Sequence, residues 1–193
     1  RSAKSLPVTS FVRKGHVEPS ALASAEQCHR RYGVYPLNFS FPQPELMPHS
    51  LERRPHFLSS TIPGEPFSFD TWETYLDEYR SSYFALSTKK GGWDTFRHLE
   101  VLFSGAIPLL PRLSKANPFS LAHFPKRALI KVMQTLEREG PALPDDHTRY
   151  FFQRYASERL SSRAMAASLV DAARMSGSRV LYLDHGLARR TDY

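Results

Sequence analysis

The chain has 193 residues, 41% hydrophobic and 12% aromatic, which fits one globular domain with a buried core and excludes wholesale disorder. Twenty-six Lys and Arg against 19 Asp and Glu give a formal net charge of +7. Such a balance favours an anionic partner (nucleic acid, a membrane surface or a phosphate-bearing small molecule) unless the charge only solubilises the chain. The single cysteine, Cys28, excludes an intrachain disulfide and a Cys-rich metal site.

No stretch has the length of a transmembrane helix or the pattern of a signal peptide. The first residue is Arg rather than Met, so further sequence is expected ahead of it, with any targeting information it carries. The basic residues come as pairs, Arg13-Lys14, Arg30-Arg31, Arg53-Arg54, Lys89-Lys90, Lys126-Arg127 and Arg189-Arg190. A nucleic-acid reader more often shows a stripe or a known module.

Pro7 to Val12 reads as a short strand that runs into the basic turn Arg13-Lys14-Gly15-His16. Glu18-Pro19-Ser20 then opens a helix to about Arg31, with Pro in its first turn. Cys28 on that helix is expected to be a small buried hydrophobe. Tyr35 to Phe41 is extended, and Pro36 and Pro42 confine it to an edge. After a Pro-rich loop, His56 to Ser60 is a strand, and Ile62 to Phe69 is another loop. Asp70-Thr71-Trp72-Glu73 resembles a capping box with Asp70 as N-cap. The helix behind it is expected to bury Trp72, Tyr75, Leu76 and Tyr79. Tyr83 to Ser87 is an apolar run suited to a buried parallel strand. A helix from Thr95 to Ser104, ended by Gly105, precedes a strand at Ala106–Leu110. Helices follow at Pro125–Glu139, from Asp145-Asp146 to about Leu160, and from Ser161-Ser162 to near Gly177. Arg179 to Leu183 is a last strand.

Strands alternating with helices predict an α/β protein with an open, mostly parallel, Rossmann-like sheet and helices on both faces. Residues 1–178 are expected to form that domain. Residues 179–193 are its final strand or the start of a following domain.

Chemistry concentrates in Ser82 to Glu100. A buried strand leads into Lys89-Lys90-Gly91-Gly92-Trp93-Asp94-Thr95, which opens directly onto a helix. Such a loop suits a diphosphate. Helix N-termini present free N–H groups and partial positive charge, the glycines allow close backbone approach, and the lysines add charge. In open α/β sheets ligands sit outside the carboxyl ends of the strands, where this loop falls. On the helix, Phe96, Leu99, Leu102 and Phe103 form an apolar side, and Arg97 and Glu100 share the other. A glutamate there suits a ribose because its carboxylate accepts two hydrogen bonds from a vicinal diol. The plainer alternatives are a solvated turn and an exposed Arg97–Glu100 helix pair. His98 is the foremost histidine candidate for acid–base work, ahead of His16 and His123. Asp94 is explained as a helix N-cap.

The stretch Phe84-Ala-Leu-Ser, Gly92-Trp-Asp-Thr, Arg97-His-Leu-Glu100 and Gly105-Ala-Ile-Pro108-Leu-Leu resembles the donor-binding signature of GT-B glycosyltransferases, in particular the exostosin-like group. Pro118-Phe and His123-Phe124-Pro125-Lys126 are similar to the loop that follows it. The exostosin pattern carries a Cys-rich run and an Arg-Gly before the helix, where this chain has Lys89-Lys90-Gly91. The resemblance implies the C-terminal, nucleotide-sugar-binding half of such an enzyme. Glu100 would hold the ribose, and Arg97 with Gly92–Thr95 would meet the diphosphate. Lys89, Lys90 and Gly91 would border it, and Arg13 and Lys14 would join from the loop after the first strand. The resemblance further implies a glycan or glycoprotein acceptor, a second Rossmann-like domain outside this chain, a secretory or Golgi setting, and no nucleic-acid partner. No cofactor beyond the nucleotide sugar is required, and no metal-binding Asp-x-Asp is present. Two other classes stay open: a non-catalytic glycosyltransferase-like scaffold, and a basic nucleic-acid-binding α/β module whose aromatics are core rather than a stacking platform.

Overall fold

The computed structural model describes residues 24–32, 35–42, 51–66 and 68–172. The expected strands at Pro7–Val12 and Arg179–Leu183, the basic turn between them in sequence, and the division after residue 178 lie outside the described residues.

Three strands, β1 (His56–Leu58), β2 (Ser82–Leu86) and β3 (Ile107–Leu109), form one parallel sheet in the order β1-β2-β3. Leu58 lies across from Phe84, and Phe84 across from Ile107. The central strand β2 is buried from Ser82 to Ala85, as an apolar run between two neighbours should be, while His56 and Leu58 on the edge strand are exposed. β3 tolerates Pro108, which has no N–H to donate, because among the described residues it is the other edge.

The crossovers are the helices α2 (Trp72–Arg80) and α3 (Phe96–Phe103). They pack together with Ala85, Tyr75, Leu76, Tyr79, Val101 and Ala106 in one buried cluster. The next side chain along the strand, Phe84, joins a larger cluster with Leu129 of α4 (Lys126–Glu139) and Phe152 of α5 (Asp146–Tyr155). A strand presents alternate residues to opposite faces, so β2 is covered by helices on both sides. The chain is thus an α/β protein with a small open parallel sheet.

Helix ends follow local chemistry, with two shifts from the sequence reading. The N-cap of α2 is Thr71, not Asp70, and Thr71 and Thr74 form the reciprocal capping box. At the front of α1 (Ala25–Tyr32), Ser24 Oγ accepts from Gln27 N, and Gln27 Oε1 accepts from Ser24 N. Asp145 caps α5 by accepting from Thr148 N at 2.6 Å. That helix runs into a π-turn at Ala156–Leu160 before α6 (Ser162–Ala172). Tyr35–Phe41 is extended but stays out of the sheet, making one parallel bridge from Phe41 to Ser161. Cys28 is fully buried against the loop before α4. Trp72 and Phe96, both expected in the core, stand exposed on the first turns of α2 and α3. No helix among the described residues is long and apolar enough to cross a membrane.

Two arginines lock the amino edge of the sheet. Arg54 is buried, and its Nη1 donates to Tyr79 O at 3.1 Å and Ser82 O at 2.8 Å, while Nη2 donates to Ser104 O at 3.3 Å. Arg149 donates to Leu51 O and Glu52 O and lies over the Tyr83 ring, 5.1 Å from its centroid. Gly105, which ends α3, has φ +81°, and a Cβ there would come within 2.4 Å of Arg54 Nη2.

Candidate functional site

The sheet's parallel order sends every strand the same way, so the loops after β1, β2 and β3 gather at the carboxyl edge. The loop after β2 is the one the sequence singled out. Lys89, Lys90, Gly91 and Gly92 are exposed at its tip, where Lys90 N donates to Gly92 O at 3.2 Å. Neither glycine has a positive φ, and a Cβ on either would meet nothing within 4 Å. The fold therefore does not require glycine at 91 or 92. Trp93 is half-buried and packs on the larger core cluster.

The loop's inner half is fixed from behind. His98 is fully buried on α3, with Nδ1 2.7 Å from Ser87 Oγ and Nε2 2.8 Å from Trp93 O. A carbonyl only accepts, so the ring proton is on Nε2 and the Ser87 hydroxyl donates to Nδ1. Burial lowers the His98 pKa to about 4, with the Trp93 bond working against that and Arg97 adding to it. The ring is thus neutral and enclosed. It is a pin between the end of β2, the loop and α3, and not the acid–base candidate of the sequence reading. His123 has the same character, half-buried with its Nε2 3.0 Å from Pro36 O and its pKa lowered by burial. His16 lies outside the described residues.

Asp94 is likewise not the N-cap of α3. Thr95 holds that position and makes no side-chain cap bond, while Asp94 Oδ1 accepts from Leu121 N at 3.0 Å. Leu121 has φ +50°, an uncommon conformation for a leucine, which that bond helps hold. Behind it, Lys126 is buried with Nζ donating to Ser120 O at 3.0 Å and Pro118 O at 3.3 Å. Burial lowers the Lys126 pKa to about 8, with Cys28 and Asp94 opposing. Burial raises the Asp94 carboxyl, against the pull of the Leu121 N–H and Lys126.

With Asp94 turned away, the first turn of α3 keeps its N–H groups free of any side-chain cap, and Thr95 Oγ1 is buried without a partner. Arg97 and Glu100 follow on the same face. Arg97 Nη1 is buried and has no hydrogen-bond partner. Glu100 Oε2 accepts from Tyr75 OH at 2.6 Å, and Tyr75 OH in turn accepts from Tyr79 OH at 3.0 Å. Burial raises the Glu100 carboxyl, with Tyr75 and Arg97 holding it down. Burial also raises Tyr75, and its bond to Glu100 adds to that. Sequence reading missed the two tyrosines as polar partners because they also fit the core. The available signal was that a buried tyrosine hydroxyl needs a partner, and Tyr75 and Tyr79 are one turn apart.

The structure places Thr95, Arg97 and Glu100 at the start and first turns of α3, with Lys89, Lys90, Gly91 and Gly92 at the exposed tip of the loop before it. It gives Trp93 and Asp94 to the support behind the loop, and Arg13 and Lys14 lie outside the described residues. Two cavities among the described residues, of about 350 and 430 Å³, do not take in any residue of 89–100; the first is lined by Ser24, Lys126 and Tyr155 among others, the second mainly by α4 and α5. On α3 itself, Arg97 and Glu100 are half-buried. Among the described residues, no three His, Cys, Asp or Glu side chains are grouped to hold a metal ion. Compared with protein-family models, with curated proteins and with solved structures, the chain gives no match in any of the three.

Proposed function

We propose that this chain is the nucleotide-sugar-binding half of a GT-B, exostosin-like glycosyltransferase, which takes a nucleoside diphosphate sugar as donor for transfer to a glycan or other acceptor. The observation that carries the reading is the pairing on α3, at the carboxyl edge of a parallel sheet, of a guanidinium with an unpartnered buried Nη1 and a carboxylate oriented by a tyrosine.

The chemistry runs from the helix start inward. The uncapped N–H groups of α3, with Lys89 and Lys90 on the preceding loop, attract the diphosphate. Arg97 adds a charge-assisted bond to it and stabilises the negative charge that grows on the leaving diphosphate as the glycosidic bond breaks. Glu100 accepts from the two ribose hydroxyls. The Tyr75 bond uses only part of its accepting capacity and fixes the plane of the carboxylate. Acceptor binding and any general base belong to a second domain outside this chain.

Calorimetric titration with UDP and GDP, repeated on Glu100→Ala and Arg97→Ala, tests this. Saturable binding of one nucleotide, weakened at least about 10-fold by each substitution, is expected, because each removes a charged hydrogen-bonding partner. A folded chain that binds neither nucleotide would instead support the non-catalytic scaffold.

A further inference from the structure

Phe96 is the first residue of α3, and its ring stacks on Phe39 of the extended segment beside that helix, with centroids 4.7 Å apart and planes 25° apart. Two stacked rings cover one face of each other. Yet Phe96 is 48% exposed, Phe39 46%, and neighbouring Leu37 52%. Two residues further along the same segment, Phe41 stacks on Phe103 at 5.0 Å, and both of those rings are buried. The segment therefore encloses one aromatic pair and leaves the other open, at the end of α3 where the uncapped N–H groups are. Because an α-helix turns about 100° per residue, Glu100 lies about 40° around the axis from Phe96 and about 60° from Arg97, between the two.

That order matches the connectivity of a nucleoside diphosphate. The ribose diol lies between the base on C1′ and the phosphates on C5′. A diol on Glu100 with phosphates toward Arg97 sends the base toward Phe96. We infer that the outer face of the Phe96 ring, backed by Phe39, is the platform on which the nucleobase of the donor stacks, so that base, ribose and diphosphate are read in turn by Phe96, Glu100 and Arg97. This rests on the nucleotide-sugar reading above. Stacking accepts any base with a π-face, so the platform contributes affinity with little choice of base, and purines gain at least as much as pyrimidines.

The test is titration of the wild-type chain, Phe96→Ala, Phe96→Trp, Phe39→Ala and Glu100→Gln with UDP and with inorganic pyrophosphate as the base-free probe, after thermal melts confirm folding. Phe96→Ala is expected to weaken UDP about 10-fold and Phe39→Ala about 3-fold, since the latter only backs the ring. Phe96→Trp should retain UDP, and none of the three should alter pyrophosphate affinity. Unchanged UDP binding by Phe96→Ala, beside loss in Glu100→Gln, would overturn the platform and leave the nucleotide site standing. Equal weakening of UDP and pyrophosphate by Phe96→Ala would overturn it too, because the ring would then act through the loop. If the wild-type chain binds no UDP, or Glu100→Gln binds it undiminished, the nucleotide reading fails and the platform falls with it.

Discussion

The two edges of the sheet use the same residue type in opposite ways. At the amino edge, Arg54 is buried and spends both terminal nitrogens on the carbonyls of Tyr79, Ser82 and Ser104, tying the end of α2, the start of β2 and the end of α3 together. At the carboxyl edge, Arg97 carries a buried Nη1 with no partner, next to a helix start with no side-chain cap. A buried guanidinium is tolerable when carbonyls replace its water. One left incompletely bonded is a cost that the fold does not recover by itself. The contrast separates charge that holds the protein together from charge that is open to something else. It also qualifies the net charge of the chain, because Arg54 and Lys126, each from a basic pair in the sequence, are interior braces rather than surface charge.

The largest expected effect breaks this contrast directly. Arg54→Ala leaves three carbonyls without their donor and opens a void, and should cost about 3–5 kcal/mol of folding stability. That is a large part of the roughly 5–15 kcal/mol typical of a domain. Arg97→Ala should change stability by less than about 0.5 kcal/mol, because no carbonyl depends on it; under the proposed function it should also remove most nucleotide affinity. Urea titrations of the two variants side by side check it. A destabilisation by Arg97→Ala comparable to that of Arg54→Ala would make Arg97 a brace as well.

Next in size is a pH effect at the pin behind the loop. His98 has its pKa lowered from 6.5 to about 4 in the folded chain. Between those values the unfolded chain takes up a proton that the folded chain does not, so stability falls as pH drops through this window. The full contribution is about 3 kcal/mol. His123, also lowered, acts in the same direction, while the raised carboxyls of Asp94 and Glu100 oppose it. The informative quantity is therefore the difference between wild type and His98→Gln in urea midpoint across pH 4 to 6.5. The wild type should have the steeper slope, and parallel slopes would refute a neutral enclosed ring.

This pin also shows what was legible in the sequence. Period and punctuation located the elements well: the apolar run of β2, the Gly105 and Gly140 helix ends and the Asp145 cap stand within a residue or so of expectation. The same reading recognised Arg97 and Glu100 as neighbours, because their spacing is a property of the helix itself. What it could not supply was anything that depends on contact across the fold. Asp94 next to a helix start looks like a cap, and only the approach of Leu121 N shows its bond. His98 beside Arg97 looks exposed and reactive until Ser87 and Trp93 O enclose it. Phe96 fits the apolar stripe of α3 by spacing, yet it sits on the first turn outside the core, stacked on Phe39, which is itself about half exposed.

The glycines sharpen the same comparison with the smallest effects. Gly105 sits at the amino edge with φ +81°, and a Cβ there would meet Arg54 Nη2 at 2.4 Å and Gln153 Nε2 at 3.1 Å. The end of an arginine can often move aside, but this one is held by three carbonyls, so Gly105→Ala adds backbone strain to a displaced brace and should cost about 2 kcal/mol. Gly91 and Gly92, at the carboxyl edge, have ordinary φ and open space where a Cβ would go. Gly91→Ala or Gly92→Ala should leave stability unchanged or raise it by about 0.5 kcal/mol through a less flexible unfolded chain. If a diphosphate lies against this backbone, the added methyls should still weaken UDP several-fold, since glycine there serves the ligand's approach and not the fold. Unaltered melting with unaltered UDP affinity would remove the loop tip from the site and confine binding to α3. Altered melting would mean that the tip packs against more of the protein than its open surroundings indicate.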